Sequence, residues 1–105
     1  MAYNKYKAQK HSIDGYLFDS KKEAQRYSEL KLLEKAGQIT ALKVHPVYKL
    51  SIGQKHICNY ESDFEYYDSA CGDGVIEDCK GYKTPVYRLK KKLMRVIFGV
   101  EIKET

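Results

Sequence analysis

The sequence contains no tryptophan, two prolines and three cysteines. It has no apolar run near the roughly 20 residues that a membrane helix needs. The opening MAYNKYKAQK lacks the apolar centre of a secretory signal, so neither a membrane nor an export route is expected and the chain is assigned to the cytoplasm. Cys58, Cys71 and Cys79 are odd in number and form no C-x-x-C pair, which argues against a disulfide framework. Zinc fares little better. His56 and Cys58 would share a strand face, but no second pair among His45, His56 and the cysteines has the short spacing of a zinc site, so buried thiols and surface histidines are expected. Repeats, low-complexity tracts and linkers are missing too, so residues 1–105 read as one domain, with 1–11 a basic arm.

Charge is abundant and unevenly placed. The net charge of +5 suggests a polyanionic partner. Residues 1–50 hold ten Lys/Arg against five Asp/Glu, and residues 82–105 hold seven against two. Between them, Glu61, Asp63, Glu65, Asp68, Asp73, Glu77 and Asp78 face only Lys55 and Lys80. A protein that merely coats nucleic acid has no use for that acidic centre, because every carboxylate repels phosphate. A divalent cation held among some of the acids would reverse the local sign.

Asp14-Gly15, between Ser12-Ile13 and Tyr16-Leu17-Phe18, predicts a tight hairpin. Ser20 then predicts a helix N-cap with Glu23 three residues on. Ala24, Tyr27, Leu30 and Leu33 follow at helical spacing, and Gly37 ends the helix. ITALKVHPVYKLSI reads as one β-branched strand with Pro46 at an edge or bulge, Gly53 turns it into a second strand, HICNYESDFEYY, and CGDG turns that into VIEDCKG. Short turns predict an antiparallel meander. Thr84-Pro85 opens a second helix, VYRLKKKLMRVIF, with Val86, Leu89, Leu93, Val96 and Ile97 on one side and Arg88, Lys91, Lys92 and Arg95 on the other. Gly99 closes it, and VEIK reads as a final strand. The order is hairpin, α, β, β, β, α, β, an α+β fold with a mixed sheet flanked by helices.

On a strand, Asp78 and Lys80 project together and Glu77 projects opposite. If the CGDG turn pairs the last two strands, Asp63 can come alongside Asp78. Two adjacent carboxylates raise each other's pKa unless a cation lies between them, and hard oxygen ligands suit Mg²⁺ or Mn²⁺. Lys80 adds a positive charge, and Glu23 can lean in from the first helix. Each feature also has a plain reading. Ser20-x-x-Glu23 is a capping box, Asp78 and Lys80 can form an ordinary ion pair, and the basic helix face can be merely solvated. Lys5, Lys7 and Lys10, interleaved with Tyr3 and Tyr6, either clamp a nucleic-acid strand or form a frayed terminus.

SKKE opening a helix, YESDF on one strand and EDCKG ending the next resemble the PD-(D/E)XK nuclease superfamily, in particular phage endonuclease I, a Holliday-junction resolvase, and small phage-encoded nuclease-like proteins. The resemblance covers roughly residues 16–104 and implies a restriction-endonuclease-like core of order α-β-β-β-α-β. It implies that Asp63 bridges metal, that Asp78 is the second acid, that Lys80 is the motif lysine, and that Glu23 matches the helix glutamate of the endonuclease I branch. The Cys79 carbonyl would be a further ligand, and Glu77 is a competing neighbour of Asp78. The family activity is hydrolysis of a DNA phosphodiester by a metal-activated water, in phage replication or recombination on branched DNA. Two positions depart from the pattern: the second acid is Asp rather than the commoner Glu, and Ser62 stands where proline usually precedes the aspartate. Because the basic helix face follows the expected site by a short loop, Arg88, Lys91, Lys92 and Arg95 are expected to contact DNA phosphates, with Lys5, Lys7 and Lys10 of the arm as further candidates. So short a chain is expected to straddle its substrate as a homodimer. The competing expectations are a catalytically inactive DNA-binding nuclease fold, a zinc-stabilised module and a phage protein that binds a host partner.

Overall fold

The computed structural model describes residues 10–105. The chain begins with the hairpin β1 (His11–Ile13) and β2 (Tyr16–Phe18), antiparallel and joined by Asp14 and Gly15 at φ 54° and 85°. Two successive positive φ angles are what a two-residue turn needs to match the twist of its strands, and Asp-Gly supplies both cheaply. Helix α1 (Lys21–Lys35) follows, with the Ser20 side chain accepting from the Glu23 N–H and Gly37 in the left-handed region at φ 78°.

Five strands, not three, separate α1 from the second helix: β3 (Ile39–Val44), β4 (Val47–Ile52), β5 (Lys55–Glu61), β6 (Phe64–Asp68) and β7 (Gly74–Asp78). Each of the two long strands expected from the sequence is broken in two. The first breaks at His45, which takes φ 55° immediately before Pro46, so that the chain turns out of the strand. The second breaks at Ser62-Asp63. The two breaks are tied together by His45 N–H to the Asp63 carbonyl at 3.0 Å and Ser62 N–H to the Pro46 carbonyl at 3.1 Å. Between them β4 and β5 leave the sheet as a separate antiparallel ribbon.

The expected meander is corrected accordingly. The main sheet runs β3-β6-β7-β8, with β3 against β6 and β6 against β7 antiparallel, and β7 against β8 (Lys103–Glu104) parallel. The parallel pair is made possible by α2 (Pro85–Phe98), which crosses over between its strands. The Thr84 hydroxyl caps α2 by accepting from the Tyr87 N–H, and Gly99 ends it at φ 69°. Without the ribbon the order after the hairpin is α, β, β, β, α, β, in an α+β fold with a mixed sheet and a helix on each side.

Two apolar layers hold the sheet. Phe18, Ala24, Tyr27, Leu30, Ile39, Phe64 and Tyr66 form the layer under α1. Leu50, Tyr60, Ile76, Tyr87, Met94 and Ile102 form the layer under α2 and the ribbon. Because neighbours on β7 point to opposite faces, Ile76 and Asp78 belong to the α2 side and Glu77 to the α1 side. The apolar side expected for α2 is only partly covered. Tyr87 and Met94 are the buried positions, Leu93 and Ile97 are half-buried, and Val86, Leu89 and Val96 remain exposed. No helix among the described residues is long and apolar enough to cross a membrane.

Candidate metal centre

Distant parts of the chain meet at one end of the sheet: the first turn of α1, the broken junctions at His45 and Asp63, and the end of β7. Glu23 is 4 % exposed. The Ser20 cap is present, but the Glu23 carboxylate does not close the capping box on Ser20. Its Oε1 accepts from the Asp19 N–H at 3.1 Å, and its Oε2 lies 2.8 Å from His45 Nε2. Asp63 Oδ2 accepts from the Cys79 N–H at 2.7 Å. Glu23, His45 and Asp63 each offer one ligand atom, and these atoms all lie within 4.8 Å of one another.

Asp78, fully buried, lies against Asp63. Its Oδ2 accepts a hydrogen bond from the Tyr60 hydroxyl. Its Oδ1 has no hydrogen-bond partner among the described residues; Lys80 Nζ stands 3.5 Å away. The Lys80 ammonium also lies over the Tyr87 ring, 4.8 Å from its centroid. Burial, then the neighbouring Asp63, pushes the Asp78 carboxyl up to about 7, against the pull of Tyr60 and Lys80. Asp63 is also raised, first by burial and then by the charge of Glu23, while Asp78 and the Cys79 N–H draw it down. Burial thus favours a proton on this pair of carboxyls.

Glu77 lies elsewhere. It is fully buried on the opposite face, where Arg26 grips it with Nε at 2.5 Å and Nη2 at 2.9 Å, and the Tyr66 hydroxyl donates to it at 2.5 Å. A carboxylate held by a guanidinium fork and a phenol has its charge compensated and is turned away from Asp63. The structure therefore brings Glu23, Asp63, Asp78 and Lys80 together and leaves Glu77 out. Cys79 enters through its amide N–H, and its thiol, raised by burial, points to the Thr105 hydroxyl at 3.2 Å.

The residues fit a small divalent cation. Donors about 2.1 Å from an octahedral ion lie about 3.0 Å apart when adjacent and about 4.2 Å when opposite. His45 Nε2 and Glu23 Oε2, at 2.8 Å, match adjacent positions, and the ligand atoms of Glu23, His45 and Asp63 lie within 4.8 Å of one another, slightly wider than the ion requires. A buried carboxylate oxygen without a hydrogen bond is costly in a protein interior, and Asp78 Oδ1 has none among the described residues, only the Lys80 ammonium 3.5 Å away. His45 and Tyr60 were missed from the sequence. The His45-Pro46 dipeptide inside an apparent strand was the available signal for His45. For Tyr60 the register across the break carried none.

The basic residues are dispersed. Lys91 Nζ pairs with Glu104 at 3.2 Å and Arg95 with Glu101 at 3.5 Å, whereas Arg88 and Lys92 are exposed and make no ion pair among the described residues. Lys10 pairs with Asp19 at 2.9 Å beside the hairpin. Lys5 and Lys7 lie outside the described residues. The thiols depart from the buried state expected of them, with Cys71 exposed and Cys58 and Cys79 partly covered.

No curated protein and no solved structure matches the chain. A protein-family model does: residues 3–105 match the family described as "Protein of unknown function (DUF1064)". With that match covering nearly its whole length, the chain belongs to the DUF1064 family.

Proposed function

We propose that the protein is a divalent-metal-dependent DNA endonuclease of PD-(D/E)XK type with a restriction-endonuclease-like core. The observation that carries the reading is the buried Asp78 carboxyl beside the half-buried Asp63, with Lys80 Nζ 3.5 Å from Asp78. The α-β-β-β-α-β order around the ribbon supports it, as does the charge arrangement, with an acidic centre inside a chain of net charge +5.

Asp63, Asp78 and Glu23 would hold Mg²⁺ or Mn²⁺, with the Cys79 carbonyl as the further ligand that the resemblance implies. The ion would supply charge neutralisation at the scissile phosphate and a more acidic water. The protein's own groups do the positioning. The Asp19 and Cys79 N–H groups fix one oxygen each of Glu23 and Asp63 and so restrain both carboxylates. The Tyr60 hydroxyl orients Asp78 in the same way. Lys80, steered by Asp78 and the Tyr87 ring, places a positive charge where a phosphate oxygen or an attacking water would lie. Arg88 and Lys92, exposed and without an ion pair among the described residues, would contact the flanking phosphates, with Lys91 and Arg95 in ion pairs beside them. Phosphate contacts carry no base sequence, so the substrate is recognised by its structure, and branched DNA is the form the resemblance favours. Action as a homodimer in the cytoplasm of a phage host completes the reading.

The test is direct. Supercoiled and cruciform plasmids are incubated with the protein and with Lys80→Ala in Mn²⁺ or Mg²⁺. Nicking by the native protein, lowered by about 10²-fold or more in the variant, is expected. DNA binding without nicking by either protein would instead identify an inactive nuclease-fold binder.

A further inference from the structure

The carboxylates expected from the sequence would make an all-oxygen site, and a nitrogen donor changes which ion such a site prefers. His45 Nε2 lies 2.8 Å from Glu23 Oε2, the spacing of two adjacent ligands on one small ion. A ring nitrogen of His45, an oxygen of Glu23 and an oxygen of Asp63 stay within 4.8 Å of one another. Glu23 and Asp63 each accept a hydrogen bond from a backbone N–H, at 3.1 Å and 2.7 Å, which restrains both carboxylates. His45 is held in place by the left-handed turn before Pro46 and by its N–H bond to the Asp63 carbonyl at 3.0 Å. Independently, Asp78 Oδ1 is buried without a hydrogen-bond partner among the described residues, and its carboxyl adjoins that of Asp63.

We propose that His45 is a direct metal ligand, making a mixed nitrogen–oxygen centre that selects a divalent first-row transition ion over Mg²⁺. The inference rests on the metal-centre reading above but not on DNA cleavage. Mg²⁺ is a hard ion that keeps oxygen ligands and gives up water reluctantly, whereas Mn²⁺ and the later first-row ions accept imidazole. The resulting preference belongs to the folded chain alone, before any substrate binds.

The experiment uses the full chain with Mn²⁺ and Mg²⁺ as probes. Calorimetric titration is expected to give Mn²⁺ binding at least about tenfold tighter than Mg²⁺, and pulsed electron paramagnetic resonance of the Mn²⁺ complex to show coupling to a directly bound ¹⁴N. His45→Asn is the variant of choice because asparagine tolerates positive φ; it should abolish the nitrogen coupling and reduce the Mn²⁺ preference by about tenfold. Labelling the native protein with [¹⁵N]histidine needs no substitution and should replace the ¹⁴N pattern by that of ¹⁵N. Mn²⁺ bound without nitrogen coupling would overturn the proposal and leave His45 as a hydrogen-bond partner of Glu23. No binding of either ion would overturn it together with the metal centre. Nitrogen-coupled Mn²⁺ without plasmid nicking would uphold it and remove the nuclease reading instead.

Discussion

Asp78 is the residue on which the most measurable chemistry converges. Its carboxyl moves from an ordinary 3.8 to about 7 because it is buried beside Asp63. The sign of the consequence follows from proton counting. Between about pH 4 and 7 the folded chain keeps a proton that the unfolded chain has released, so metal-free stability falls as pH rises through that window. Thermal melts without metal should show the midpoint dropping from pH 5 to pH 8. Asp78→Asn should flatten that slope, raise the midpoint at pH 8, and abolish the rise in midpoint that Mn²⁺ is expected to give the native protein. A variant as pH-sensitive as the native chain would show that Asp78 is not the group responsible. At this scale the sequence was informative wherever strand alternation applies, since it separates Glu77 from Asp78. It was silent on what compensates Glu77, because Arg26 comes from fifty-one residues away through packing that no local pattern encodes. His45 escaped for a similar reason: alternation treats it as one more strand residue, and only the left-handed backbone turns it toward Glu23.

At the scale of elements, the β4–β5 ribbon explains most of the difference between the expected and the observed topology. Helices, caps and turns were legible because their signals are local: Asp14-Gly15, Ser20, Thr84-Pro85 and Gly99 each fix a backbone conformation by their own chemistry. The division of each long strand was not, since both halves keep the same β-forming composition across the break. What holds the ribbon to the body is its apolar side, with Leu50 and Tyr60 in the layer that contains Tyr87, Met94 and Ile102. Leu50 is fully buried, and Leu50→Ala should cost about 2–5 kcal/mol in denaturant unfolding. Because Tyr60 is on the same ribbon and donates to Asp78, that variant should also weaken Mn²⁺ binding in calorimetric titration. Destabilisation with unaltered metal affinity would show that ribbon packing does not support the site.

For the whole molecule, the formal charge of +5 overstates the cation available to a polyanion, because several lysines and arginines already face acids. Arg88 and Lys92 are exposed and unpaired among the described residues, so they should carry the salt dependence of DNA binding. Replacing both by alanine should reduce the slope of log affinity against log salt by about two, whereas Lys91→Ala with Arg95→Ala should reduce it less. Equal reductions in fluorescence-anisotropy titrations would show that the Glu101 and Glu104 pairs do not withhold charge from phosphate. The arrangement of the centre has one more consequence, for how the chain acquires it. Glu23, His45, Asp63 and Asp78 are spread over more than half of the sequence, and Asp78 belongs to a strand whose parallel neighbour arrives only after α2. Each approach closes a long loop whose entropy must be offset before the groups meet, so no short excised fragment holds them in place. In refolding from denaturant, capture of Mn²⁺ should therefore keep step with the last cooperative phase instead of preceding it.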